Sequence, residues 1–153
     1  MLILGSFPST ASLAARQYYA HPQNQFWRIL GAAIGRPLKD MDYPARIVAV
    51  QAAGIAIWDI YASCERAGSL DSAIRDAVAN DLSVLQKCPE GRTALAPALR
   101  RVCFNGRVAA KRIREVEALG YESVVLPSTS PAHAGMAFED KLAHWLSGLL
   151  ISK

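Results

Sequence analysis

Four short apolar runs, Leu2–Gly5, Ile55–Trp58, Val102–Phe104 and Val124–Leu126, constrain the fold of this chain more than any other feature. Each reads as a buried strand, and helical patterns separate them. Gln25 to Ile34 reads as a helix with Phe26, Ile29, Leu30 and Ala33 on one face. Tyr43 to Ala53 reads as another, stopped by Gly54. Leu70 to Gln86 is expected to hold one or two more. Val108 to Leu119 reads as a basic amphipathic helix that ends at Gly120. Phe138 to Leu150 reads as the last helix, with Leu142, Trp145, Leu146 and Leu149 toward the core. Cys88 to Pro97, with two Pro and one Gly, reads as a surface loop. Strands alternating with helices predict βα units and a parallel sheet. A chain of 153 residues without repeat, linker or low-complexity tract is expected to form one domain, residues 1–153.

A parallel sheet gathers the carboxyl ends of its strands along one edge, where α/β proteins bind ligands. Four irregular segments are expected there: Ser6–Ser9, Asp59–Cys64, Asn105-Gly106 and Pro127–Gly135. The stretch from Tyr18 to Trp27 follows the first of them and crowds aromatics, His21 and Asn24 together. Tyr18 and Tyr19 offer a flat stacking surface, with Tyr18 expected to be the one in the core. Asn24 offers both a donor and an acceptor. This equipment suits a flat polar ring gripped on its face and read on its edge, as a nucleobase is. The loop Leu126–Gly135 carries Ser, Thr and two Pro. Its hydroxyls and backbone N–H groups can hold a phosphate, or it is a plain connection.

The net charge of +4 is mildly basic, and the local clustering says more. Arg100, Arg101, Arg107, Lys111, Arg112 and Arg114 fall within fifteen positions. Such a group fits a phosphate-facing surface or a solvated helix face. No apolar run reaches the roughly 20 residues of a membrane span. The start has no basic region ahead of a long apolar one, so it is not read as a secretory signal. A core strand at residue 2 raises the expectation that the natural chain begins further upstream. Cys64, Cys88 and Cys103 lack metal-site spacing and read as reduced cytosolic thiols, with Cys103 packed in a strand.

Four strings in order along the chain are Gly5-Ser6-Phe7-Pro8-Ser9, the Tyr18–Trp27 stretch with its His-Pro-x-Asn-x-Phe-Trp core, Val102-Cys103-Phe104-Asn105-Gly106, and Pro127-Ser128-Thr129-Ser130-Pro131-Ala132-His133-Ala134. Together they resemble the uracil-DNA glycosylase superfamily, closest to its hypoxanthine-DNA glycosylase branch. The second string is the specific one. The resemblance covers nearly the whole chain except Cys88–Pro97. It implies a three-layer α/β/α fold around a central four-stranded parallel sheet. It also implies a reaction: a deaminated nucleotide is flipped from DNA and its N-glycosidic bond is hydrolysed. That bond breaks through an oxocarbenium-like state.

The resemblance also implies site residues. Most branches place a water-positioning Asp or Asn two residues after the motif Gly, and this chain has Phe7 there. In the hypoxanthine branch the lost role falls to the Asn of His-Pro-x-Asn, here Asn24. Asn24 can equally be the cap of the helix that follows. The last loop usually opens with a His, and Ser128 stands at that position. Tyr19 aligns with the aromatic that stacks on the flipped base. Phe7 joins it at the base. Asp59 ends the second strand, where other branches read the base. Its carboxylate could accept the ring N–H that hypoxanthine, xanthine and uracil present and that adenine and cytosine lack. A salt bridge with Arg66, or a helix cap, is the other reading. Asn105 reads as structural rather than catalytic. Ser6, Pro8, Ser130, Pro131, His133, Arg107 and Lys111 are expected on DNA. No metal, no cofactor and no lyase lysine are expected. The expected partner is DNA containing deaminated bases, met by a monomer that is cytoplasmic, nucleoid-associated and free of membrane. The rival is a catalytically silent damage-recognition module, which Phe7 and Ser128 keep open.

Overall fold

The computed structural model describes residues 1–86 and 98–149. Its strands are β1 (Leu2–Gly5), β2 (Ala56–Asp59), β3 (Tyr61–Glu65), β4 (Arg75–Ala79), β5 (Arg101–Asn105) and β6 (Glu122–Leu126). Its helices are α1 (Thr10–Ala15), α2 (Phe26–Ile34), α3 (Tyr43–Ala52), α4 (Ile113–Ala118) and α5 (Phe138–Leu149). The four apolar runs pair in parallel in the order β2-β1-β5-β6. β1 sits inside, with Ile3 opposite Ile57 on one side and Cys103 on the other.

Side chains of the inner strands alternate between two buried clusters. Leu2, Leu4, Val102 and Phe104 meet Val116 of α4 together with Leu82 and Leu85. Ile3 and Cys103 meet Phe26, Ile29 and Leu30 of α2, Val50 of α3 and Trp145 of α5. The result is three layers, helix–sheet–helix, as expected. Burial pushes the Cys103 thiol up to about 11, so it packs as an inert apolar group. At the β6 edge, buried Arg101 grips Glu122 with two hydrogen bonds and donates a third to the Gly148 carbonyl. A Cβ on Gly148 would collide with Leu126, so glycine is what lets α5 lie close on β6.

Four expectations need correction. Residues 70–86 do not form α-helices. They hold a 3-10 turn at Asp71–Ala73, the strand β4, and a second turn at Leu82–Leu85. β4 pairs antiparallel with β3 in a separate two-stranded ribbon, so Asp59–Cys64 is not an irregular segment. Every residue of β4 is exposed. Its Arg-Asp-Ala-Val-Ala sequence has no face to bury, and backbone pairing with β3 decides its conformation. The helix expected from Val108 starts as a 3-10 turn and becomes α-helical only at Ile113. There Arg112 turns inward and donates to the carbonyls of Ile60 and Asn80. In α5 the phase is also shifted: Leu146 is 38% exposed while Lys141 is 1% exposed. Cys88–Pro97 lies outside the described residues. Among the described residues no helix is long and apolar enough to cross a membrane.

Candidate active site

β1 ends at Gly5, and the chain turns outward over β2. The N–H of Ile60 donates to the Gly5 carbonyl and that of Tyr61 to the Ser6 carbonyl. Ser9 caps α1 by accepting from the Ser12 N–H. Ser12 in turn accepts from the Ala20 N–H at 3.1 Å. Tyr18 is half-buried and is held by its backbone. Its N–H donates to the Tyr43 hydroxyl and its carbonyl accepts from the Trp27 indole, both at 3.0 Å. Between these clamps Tyr19 adopts φ 52, a left-handed conformation that costs a tyrosine free energy. Such local strain clusters at ligand sites, where the surroundings over-determine it.

The clamps set the Tyr19 ring flat on Phe26, with centroids 3.8 Å apart and planes 16° off parallel. Phe26 is fully buried and is braced edge-on by Trp27 and Trp145. The Tyr19 hydroxyl points to the pocket floor, is buried, and makes no hydrogen bond of good geometry. The Asn105 amide lies beside it and opposes the rise in its pKa, while making one hydrogen bond from its nitrogen and one to its oxygen with Thr129. Desolvation, and then the nearby Asp59 charge, raise the phenol's pKa, so it stays protonated.

Asp59 does not stand in the pocket wall. Its carboxylate lies against Gly5, and a Cβ built there would collide with Oδ1 and sit 2.8 Å from the Tyr19 hydroxyl. Glycine is therefore required at residue 5 by close approach. Burial pushes the Asp59 carboxyl up to about 7, with the Asp71 charge adding and Arg66 opposing. The salt bridge between Asp59 and Arg66 is not formed. Arg66 Nη1 lies 3.9 Å from Asp71, and its other donors reach the carbonyls of Pro8 and Gly68. Asp59 caps no helix; it closes β2.

α2 starts beside the last loop. The Asn24 Oδ1 accepts from the Phe26 N–H at 2.9 Å, and the Gln25 N–H donates to the Thr129 carbonyl at 3.0 Å. Asn24 thus steadies the first turn of α2 and still lines the pocket. A carboxamide oxygen has two lone pairs, so one remains available, as does the amide N–H₂. The loop 127–135 is fixed from below. Asn105 clips Thr129 with two hydrogen bonds of 2.9 Å, so its role here is structural support. Gly106 at φ 96 lets β5 turn under Ser128, whose Cβ would lie 3.0 Å from any Cβ added there. Ser128 Oγ accepts from the Ser130 N–H and Ser130 Oγ from the Ala132 N–H, both at 3.2 Å. The buried Lys141 ammonium donates to the His133 carbonyl, and desolvation lowers its pKa.

The structure brings Ser6, Phe7, Tyr19, Asn24, Ser128 and Ser130 into one pocket at the carboxyl edge of the sheet. The Arg66 guanidinium lies over the Phe7 ring at 5.3 Å. Pro8 faces a neighbouring hollow with Leu13 and Arg16. Arg107, Lys111, Pro131 and His133 are exposed outside the pocket. Sequence reasoning missed Ser12, Ser69 and Asp71, which also line it. Asp71 stands alone in an ordinary stretch, and only the fold of the β3–β4 ribbon carries it to the site. Among the described residues no three His, Cys, Asp or Glu converge as a metal site.

Comparison with known proteins agrees with this geometry. The profile of the Uracil DNA glycosylase superfamily matches residues 1–148. A hypoxanthine DNA glycosylase of Methanosarcina acetivorans is 42% identical over 133 residues, covering 87% of this chain and 80% of that protein. One of Methanosarcina barkeri is 38% identical over the same shares. A solution NMR structure of a candidate uracil DNA glycosylase from Methanosarcina acetivorans superposes with a TM-score of 0.82. It is 39% identical, and the match covers 95% of this chain and 86% of that one.

Proposed function

The chain belongs to the uracil DNA glycosylase superfamily, and from that membership we propose a DNA glycosylase that flips deaminated bases, hypoxanthine first, out of DNA and hydrolyses their N-glycosidic bond. The observation that carries this reading is the Tyr19 ring, backed by Phe26 at 3.8 Å and set in a wall otherwise made mostly of hydroxyls and amides. A flipped purine stacks against that aromatic shelf, with Phe7 at its other border. Base–aromatic stacking is worth roughly 1–3 kcal/mol.

Hydrolysis needs a placed water and help for the departing base. Asn24 is locked by its bond to the Phe26 N–H and turns its remaining lone pair to a water. The Ser128 oxygen accepts from the Ser130 N–H, which leaves its own proton to donate to the base. Donors aimed at developing charge are a large term in such reactions. The loop through Pro131 and His133, with Ser6, Pro8, Arg107 and Lys111, tracks the phosphates. Lys141 is buried under that loop and outside the pocket wall, and among the described residues no lysine lines the pocket. The enzyme is monofunctional and leaves an abasic site. The enzyme acts as one domain and as a single copy of the chain.

The test is incubation with excess protein of labelled duplexes that carry a single hypoxanthine, uracil or xanthine, followed by alkali. Strand scission at hypoxanthine is the expected result. Tight binding with no scission at any of the three would refute the enzyme and favour a silent recognition module.

A further inference from the structure

Among the described residues the pocket wall carries one carboxylate, Asp71, and it comes from the β3–β4 ribbon rather than from the four-stranded sheet. The Ser6 hydroxyl donates to its Oδ1 at 2.7 Å, and Arg66 Nη1 lies 3.9 Å from the same oxygen. Both partners therefore hold one oxygen. No hydrogen bond or ion pair among the described residues engages Oδ2. Arg66 is at the outer limit of an ion pair and is mainly spent on the Pro8 and Gly68 carbonyls. The negative charge of Asp71 is felt at the pocket floor, by Asp59 and by the Tyr19 hydroxyl.

Glycosidic hydrolysis develops positive charge on the sugar and needs a proton taken from water. The other polar wall groups are Ser and Thr hydroxyls, Asn amides and the Tyr19 phenol, which burial keeps protonated. None of them carries negative charge. We propose that Asp71 is a catalytic carboxylate of this pocket, oriented by Ser6. Its free oxygen accepts a hydrogen bond from the attacking water, opposite Asn24, and its charge stabilises the oxocarbenium-like sugar. The water oxygen bonds to C1′ as the C1′–N bond breaks. The bonding pair leaves with the base, and the water proton passes to Asp71 and then through solvent to the base. This deepens the glycosylase reading and rests on it.

The experiment is single-turnover excision of hypoxanthine by wild type, Asp71→Asn and Asp71→Glu across pH, with duplex affinity and urea unfolding measured alongside. Asn keeps the shape and the bond from Ser6 but loses the charge. Asp71→Asn should be slower by at least ~100-fold, in the range of a lost general base. Its duplex affinity and unfolding should match wild type. Its rate should also lose the acid limb of the wild-type pH profile, a change that a purely structural role would not produce. The groups facing Asp71 that could shape that limb are Asp59 on β2, Tyr19 and Arg66, and all three are kept in the variant. Asp71→Glu should recover part of the rate and the limb. Excision by Asp71→Asn within about threefold of wild type, or a slow variant with an unchanged profile, overturns the inference alone. Absence of excision by wild type overturns the glycosylase reading, and the inference with it.

Discussion

Replacing Asp59 by Asn probes the electrostatics beneath the pocket floor. The carboxyl is 6% exposed, and burial is the largest cause pushing its pKa from 3.8 to about 7. In the unfolded chain the group titrates near its ordinary value. Below that value both states are protonated, and the group adds no pH dependence. As pH rises from about 4 to about 7, the unfolded chain releases the proton while the folded chain keeps it. The unfolded state then binds fewer protons, so stability falls with pH. Above the folded value both states are ionised, and the loss levels off. From 3.8 to about 7, at about 1.36 kcal/mol per pH unit, the total is about 4 kcal/mol. Asn has no proton to lose. The stability of Asp59→Asn minus that of wild type should therefore climb by about 4 kcal/mol between about pH 4 and pH 7, then stay flat. Urea unfolding of both proteins at a series of pH values measures that difference, and titrations common to both cancel. Equal denaturant slopes would show that the unfolded states are comparable. A difference that is constant with pH, or that shrinks as pH rises, would refute the buried, proton-retaining carboxyl.

Three further outcomes can be checked with the same preparations. Asn24→Ala should slow single-turnover excision by at least ~100-fold, about 2.7 kcal/mol in the barrier, and cost about 1 kcal/mol of stability through the lost cap; an unchanged rate would remove Asn24 from the chemistry. Tyr19→Phe removes a buried hydroxyl that has no good partner, so thermal unfolding should hold or rise by up to ~1 kcal/mol of stability with excision nearly intact. Tyr19→Ala should lose the stacking shelf, and equal damage from both changes would mean that the hydroxyl is what counts. Arg107→Ala and Lys111→Ala should each flatten the slope of log affinity against log salt by about 0.9, one phosphate contact apiece; a side chain whose removal leaves the slope alone does not touch the duplex.

The sheet was legible because its strands are short, apolar and separated by helical periods, and such runs have few other ways to be buried. The pocket edge was legible for the same reason: parallel strands send their carboxyl ends one way. Tyr19, Asn24 and Ser128 could be named because they sit in tight motifs at those ends. The β3–β4 ribbon was not legible. Arg75–Ala79 is as compatible with a helix as with a strand, and its conformation is decided by pairing with residues ten to eighteen positions earlier. Asp71 was lost with it. Asp59 could be placed at a strand end, but not below Gly5, because depth behind a backbone leaves no periodic trace. Nothing in the α5 sequence marks Lys141 as buried; the donor it supplies to the His133 carbonyl is visible only in the fold.

That lysine has a consequence for how a duplex is met. A surface loop of small residues and prolines would ordinarily have to give up its freedom when DNA arrives, and that lost entropy would weaken binding. Here the His133 carbonyl is fastened from inside to an ammonium that has almost no water of its own. Letting go would leave a charge stranded in the protein, so the loop is stiffened when the chain folds rather than when DNA binds. Trp145 of the same helix donates to the Pro127 carbonyl at the other end of the loop, so α5 holds both ends. On the proposed reading, a duplex meets a segment whose order is already set by the protein interior.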